Sequence, residues 1–178
     1  VYATNTFDVT SQLSFTAGGR FNFAQINLQD ETGINPLLTS RNQFQRFNPV
    51  VGLTYKIAPT VTAYAGYSEA NRAPTPLELG CSDPAVPCQI DNFLIADPPL
   101  KQVVSHTVEG GLRGEWSGGG ASAAPAPKKG EKADTSTDGW RMRWGLSPFR
   151  TENSDDIINV ASAVVPNFGF FQNAGTTL

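Results

Sequence analysis

Strict alternation of apolar and polar side chains, sustained over long stretches, is the feature that most restricts how this chain can fold. Between positions 51 and 68, Val51, Leu53, Tyr55, Ile57, Val61, Ala63, Ala65 and Tyr67 hold one phase, and Gly52, Thr54, Lys56, Thr62, Tyr64, Gly66 and Ser68 hold the other. Successive side chains of a strand point to opposite faces. Each run therefore makes a strand with one apolar and one wet face. A helix would place its apolar residues every three or four positions. Leu13, Phe15, Ala17, Phe21 and Phe23 oppose Ser14, Thr16, Arg20 and Asn22 in the same way. Val104, His106, Val108, Leu112 and Trp116 oppose Ser105, Thr107, Glu109, Arg113 and Glu115, and Trp140, Met142, Trp144 and Leu146 oppose Arg141 and Arg143. Near Ala24 the phase reverses, because Ile26 and Leu28 are even-numbered, and a β-bulge is expected there.

The connections are of two kinds. Short turns follow the first, third and fifth runs, whereas long polar loops at 29–46, 71–102 and roughly 153–167 lie on the other side. Short turns at one rim, long loops at the other, and runs near the ~9–11 residues that a tilted strand needs to cross a bilayer are the pattern of an outer-membrane barrel. The expected fold is all-β: antiparallel up-and-down strands forming a partial transmembrane β-barrel, with about seven strands of a larger barrel. In that setting the apolar face meets lipid and the polar face a wet lumen. A strand such as "GYSEANRAPTPLEL" then runs on past the membrane before it breaks at Pro74 and Pro76. Two other classes share parts of the pattern, a passive porin or adhesin and a soluble β-sandwich binding module.

Three divisions follow. Residues 1–116 carry strands with extracellular loops, 117–139 form a flexible low-complexity insertion, and 140–178 carry further strands. The insertion is rich in Gly, Ala, Pro and Lys and lacks any aromatic or large aliphatic side chain, so burial cannot offset its ordering entropy. The chain opens on "VYATNTFDV", already patterned and with no signal peptide, so the native N-terminus is expected to lie upstream. No apolar run approaches the ~18 residues of a membrane-spanning helix.

Chemistry-bearing constellations are scarce. A net charge of −3 and a pI of about 5.1 leave no basic footprint for nucleic acid. His106 is the one histidine in the chain, on the apolar phase, and no nucleophile elbow or His-Glu metal motif occurs, so no enzyme, cofactor or metal centre is expected. Glu152, Asp155 and Asp156 lie close in sequence but lack the spacing of a calcium loop, and read as a solvated tip. Glu109, Arg113, Glu115, Arg141 and Arg143 share a wet face as a cross-strand charge ladder, with contact to a plug as the functional alternative. Trp116, Trp140 and Trp144 read as an interfacial girdle, with an ordinary core as the alternative. Cys81 and Cys88 enclose a Pro-containing loop and read as a disulfide in an oxidising compartment rather than as free thiols or a metal pair.

Several motifs resemble one family. Arg72, Ala73, Pro74, Thr75, Glu78 and Leu79 resemble the Arg-Ala-Pro-Thr…Glu-Leu element of TonB-dependent outer-membrane receptors. "DPPLKQVVSHTVEGGLRG" is similar to the next element, through Leu100, Lys101, Glu109, Gly111 and Leu112, with Gln102 and Val103 in place of Pro-Glu and Val108 in place of Tyr. "LSFTAGGRFN", "SPFRTENSDDI" and "FFQNAGTTL" resemble further strands of the family in the same order. The resemblance implies a bacterial outer-membrane location and a barrel of about 22 strands with a plugged lumen. It implies import of a scarce ligand, above all a ferric siderophore, with the plug, the TonB-contacting segment and the closing strand not visible in this chain. The implied partners are outer-membrane lipid, the TonB energy-coupling complex acting through that plug, and a metal-chelate ligand. The implied ligand contacts are the loop residues Arg41, Arg46, Asn71 and Arg72.

Overall fold

The computed structural model describes residues 1–31, 33, 38–81, 100–118, 139–163 and 169–178. The strand segments are β1 (Tyr2–Asp8), β2 (Leu13–Leu28), β3 (Ser40–Ala58), β4 (Val61–Arg72), β5 (Val103–Gly118), β6 (Trp140–Leu146), β7 (Phe149–Ser154), β8 (Ile157–Ala161), β9 (Gly169–Asn173) and β10 (Thr176–Thr177), and one short helix, α1 (Pro76–Gly80), follows β4. Every pairing is antiparallel, and the main sheet runs β1-β2-β3-β4-β5-β7-β10, with β6 also on β5 and with β8 paired to β9.

The ten segments reduce to about seven continuous strands, the number that the alternation implies. β6 and β7 meet β5 in one unbroken register, from Gly118↔Trp140 through Leu112↔Leu146 to Glu109↔Phe149 and Val104↔Ser154. They are one strand interrupted at Pro148, which has no N–H to give to the ladder, although Gly110 N still donates to Pro148 O at 3.1 Å. β8 continues that strand and β10 continues β9: Thr176↔Ser154 and Ile157↔Asn173 share one register. The break between them falls where Asp155 (φ 54°) and Gly175 (φ 65°) both adopt left-handed backbone.

Several strands are longer than the expected membrane crossing. β2 and β5 have 16 residues each and β3 has 19. About 9–11 would suffice for a tilted strand to cross a bilayer, so these strands are longer than a crossing requires. β3 accordingly begins at Ser40, inside the expected 29–46 loop, and β8 lies inside the expected loop near 153–167. The expected bulge near Ala24 is absent. The β2–β3 ladder is unbroken from Leu13↔Tyr55 to Leu28↔Ser40, and the irregularity in this part of the sheet lies elsewhere, at Lys56/Ala58 beside the Pro59-Thr60 turn. Ile26 and Leu28 therefore stay on the face of Asn22.

The wall has no core of its own. Phe21, Phe23, Phe47, Val51, Leu53, Tyr55, Val108 and Trp116 are all exposed on the apolar phase. The buried apolar side chains among the described residues, Leu79, Cys81, Leu100, Val103, Val104 and Phe170, gather instead at the long-loop end around α1. There Phe171 N donates to Cys81 O at 2.7 Å, joining the loop to β9. Of the expected insertion, Ser117 and Gly118 close β5 and Gly139 precedes β6; the remainder, 119–138, lies outside the described residues.

Candidate functional site

The long-loop rim holds the densest polar arrangement, and Pro49 creates the need for it. The β3–β4 main-chain ladder ends at Val50↔Ser68, next to a residue with no N–H. Beyond that point side chains span the gap. Arg46 Nη2 donates to Glu69 Oε2 at 2.6 Å. Asn48 Nδ2 and Asn22 Nδ2 both donate to Asn71 Oδ1 at 2.7 Å, and Asn71 Nδ2 donates to Gln102 Oε1 at 2.7 Å. Gln102 Nε2 in turn reaches Gln45 O at 3.1 Å. One amide thus ties β2, β3, β4 and the segment entering β5.

A second chain of bonds adjoins it. Tyr67 Oη donates to Glu69 Oε1 at 2.7 Å and lies 3.0 Å from His106 Nδ1. With the single hydroxyl proton committed to the carboxylate, Tyr67 accepts from His106, which assigns a proton to Nδ1. Glu69 and His106 face each other directly across β4 and β5. His106 is thus an interface histidine in a strand-bridging chain.

α1 is fixed by its cap. Thr75 Oγ1 accepts from Glu78 N and Glu78 Oε2 accepts from Thr75 N at 2.7 Å, a reciprocal capping box with Pro76 in the first turn. Arg72 adds a two-pronged pair, Nη1 to Glu78 Oε2 at 2.8 Å and Nη2 to Oε1 at 3.2 Å. Desolvation alone pushes the Glu78 carboxyl up, but the Arg72 hydrogen bonds and the Thr75 contacts outweigh it and hold it below the usual carboxylate range. Glu78 anchors the start of the cap.

The four expected contact residues therefore separate. Arg46 and Asn71 meet in the rim network. Arg72 is paired to Glu78. Arg41 stands apart near the start of β3, exposed, donating to Gln25 Oε1 at 2.9 Å. Sequence reasoning missed their partners Glu69 and Gln102, because cross-strand register is needed to see them, and it missed the pairing of Arg72 with Glu78, six residues on in the capped helix. Thr75 and Glu78 had a sequence signal in the Thr-Pro-x-Glu spacing. Cys81 is buried and is not a free thiol, while Cys88 lies outside the described residues.

At the other rim the expected charge ladder forms in part: Glu115, Arg141 and Arg143 pair, whereas Glu109 and Arg113 make no ion pair among the described residues. Glu115 accepts from both Arg141 Nε and Arg143 Nε at 3.0 Å, and Arg113 lies 5.8 Å over the Tyr64 ring. Trp116 and Trp144 pack at 5.6 Å on the apolar phase, and Trp116 and Trp140 are half exposed, which suits a girdle and not a core. The acidic residues near 152–156 disperse into local bonds: Glu152 with Arg150, Asp155 with Lys101, Asp156 with Ile157 N and Thr177. No metal-holding cluster occurs among the described residues.

This wall, apolar on one side and polar on the other, has a counterpart among known families. The family described as TonB dependent receptor-like, beta-barrel matches residues 1–177. The chain belongs to that family. It is therefore a receptor barrel segment of the bacterial outer membrane, in a family of receptors and transporters rather than enzymes. Among solved structures it is similar to the alcaligin outer membrane receptor FauA from Bordetella pertussis, with a TM-score of 0.53 and 19% identity. That match covers 98% of this chain and 24% of FauA, so the receptor barrel segment spans about a quarter of its neighbour's length. At this identity the likeness is one of fold. No curated protein matches the sequence.

Proposed function

We propose that this chain forms part of the wall and extracellular rim of a TonB-dependent importer, and that the imported ligand is a ferric siderophore. The observation that carries the reading is family membership along essentially the whole chain, supported by the two-faced wall and by a fold neighbour described as an alcaligin receptor. The wall performs no chemistry. Its apolar face seats in outer-membrane lipid, and its rim and loops meet the ligand. A plug elsewhere in the full-length protein takes energy from the TonB complex. Of the four candidate contacts, Arg41 is best placed to meet an anionic chelate, since it is exposed and, among the described residues, bonded only to the neutral Gln25. Arg46, Asn71 and Arg72 would have to leave present partners, which suits a rim that rearranges as ligand binds.

The test is uptake by the full-length protein in an iron-starved host lacking its own receptors. Growth rescue by a ferric siderophore, abolished by deletion of TonB, is the expected result. TonB-independent entry of small solutes would identify a porin instead. TonB-dependent rescue only by cobalamin, haem or an oligosaccharide would keep the importer and replace the ligand.

A further inference from the structure

The Pro59-Thr60 turn and the adjoining ends of β5 and β6 border an open cavity of about 610 Å³, whose lining includes Thr62, Arg113, Glu115, Arg143 and Trp144. Small-ligand sites span about 300–1,000 Å³. Trp144 Nε1 is buried and has no hydrogen-bond partner among the described residues. An indole N–H only donates, so whatever completes it is an acceptor. Two guanidinium groups, Arg113 and Arg143, face one carboxylate, Glu115, so the lining carries one net positive charge. That carboxylate is already shared, at 3.0 Å each, between Arg143 and Arg141. Arg113 makes no ion pair among the described residues; its guanidinium lies over the Tyr64 ring.

The position of the cavity selects the class of anion. Trp144 is registered opposite Gly114 on the apolar phase, and a Cβ added to Gly114 would fall 2.7 Å from the indole ring, so the ring lies flat on the strand. Trp116 packs beside it. Tryptophan pairs of this kind sit at the headgroup level of a bilayer. The cavity thus opens at the short-turn rim, where lipid-facing and lumen-facing side chains meet and where phosphate oxygens are concentrated.

We propose that this cavity binds the phosphodiester headgroup of an anionic phospholipid, with Trp144 Nε1–H and the Arg113 guanidinium donating to phosphate oxygens and Arg143 completing the charge. The site rests on the barrel assignment and is independent of the imported ligand, so failure of siderophore uptake leaves it standing.

The experiment uses the full-length protein in detergent, exposed to equal amounts of phosphatidylglycerol and phosphatidylcholine and read by native mass spectrometry. The expected result is phosphatidylglycerol retention several-fold above phosphatidylcholine. Trp144→Phe and Arg113→Gln should each reduce it roughly three- to tenfold, as loss of a charge-assisted hydrogen bond implies. Arg113→Lys should restore part of it, and Arg150→Gln, at the opposite end of the wall, should leave it unchanged. Heat-modifiable gel migration confirms that each variant is folded. Equal retention of the two lipids, or unchanged retention in both Trp144→Phe and Arg113→Gln, would overturn the proposal. Complete displacement by inorganic phosphate would assign the site to a free anion and also overturn it, as would retention seen only after the plug is deleted, which would make the cavity a plug contact.

Discussion

Replacing Asn71 by alanine is the sharpest perturbation of the rim, because this residue stands where the main-chain ladder has stopped. Asn71→Ala removes three bonds of 2.7 Å, to Asn22, Asn48 and Gln102. Asn48 is 5% exposed, and its Oδ1 already lacks a partner. Orphaning its Nδ2 as well costs about 1–3 kcal/mol, the penalty for a buried donor left unmade. Asn22 and Gln102 are half-buried, so water replaces much of what they lose, at about 0.5 kcal/mol each. The expected total is about 2–4 kcal/mol. Asn71→Asp keeps the accepting oxygen and should cost about 1 kcal/mol, from the contact with Gln102 alone. In the double variant Asn48→Ala/Asn71→Ala the orphan disappears, so the combined loss should fall short of the sum by about 1–2 kcal/mol. Denaturant unfolding of the full-length protein, with hydrogen exchange read at 45–50 and 69–73, measures all of this. An Asn71→Ala variant within about 0.5 kcal/mol of wild type would refute the hub. A weakened ligand affinity at unchanged stability would make Asn71 a ligand contact instead.

The remaining expectations concern the faces, the cap and the cysteines. Leu53→Arg should cost about 2–4 kcal/mol of barrel stability while Thr54→Arg, one residue away on the lumen face, is mild; equal losses would contradict the two-faced wall. Because the Glu78 carboxyl is held below its ordinary value near 4.5, its contribution is complete above that value and is lost as pH falls through the lower folded one; hydrogen exchange over 75–81 should accelerate in acid, and Arg72→Gln should shift that onset toward higher pH. Alkylation of native material without reductant should leave Cys81 and Cys88 unmodified, and two labelled thiols would exclude their disulfide. Single-cysteine probes should find position 53 reachable from lipid and position 43, on the same strand face, reachable from water, with 26 turned away from both; lipid access at 26 would reinstate a bulge.

The membrane-level part of the fold was readable because each of its faces meets one solvent only. Val51 to Ile57 and Val61 to Tyr67 keep their apolar residues on the odd phase for that reason. Above the membrane the signal fades. Ser40–Gln45 reads as loop, since a strand with water on its outer side needs no apolar outer face, and only pairing with Phe23 to Leu28 reveals it. Pro148 and Asp155 divide one strand into segments that look independent along the chain. The one-turn helix was missed although Thr75, Pro76 and Glu78 spell its cap, because a helix that short has no periodicity to detect. Of the site, residue types were legible and partnerships were not. Arg46 and Arg72 look like free cations in the sequence, and each has found a carboxylate, Glu69 and Glu78.

The reversal of phase at Ala24 carries more information than a bulge would. With β2 and β3 in unbroken register, the apolar residues below the reversal, Phe15, Phe21, Phe23, Phe47 and Leu53, point outward, and those above it, Ala24, Ile26, Leu28 and Phe44, point inward and are half-buried. The outward positions above it are Gln25, Asn27, Arg41, Gln43 and Gln45, all exposed and partly linked by amide hydrogen bonds. A backbone that keeps its geometry while its side-chain pattern inverts is recording a change of solvent. Lipid outside demands apolar residues there; water outside demands polar ones and leaves the enclosed face for apolar contact. For β2 and β3 the barrel reading therefore expects the outer boundary of the bilayer at the level of Phe21, Phe23 and Phe47. Leu13 to Phe23 is then the crossing segment, close to the ~9–11 residues a tilted strand requires. β4 and β5 make the same change where Tyr67 and Val108 give way to Glu69 and His106, and because Tyr67 is registered opposite Val51 this lies four residues further down β3 than Phe47. Asn71, bonded to Asn48 beside Phe47, then lies at the level of the reversal, and Arg72 and the capped helix follow it at the long-loop end.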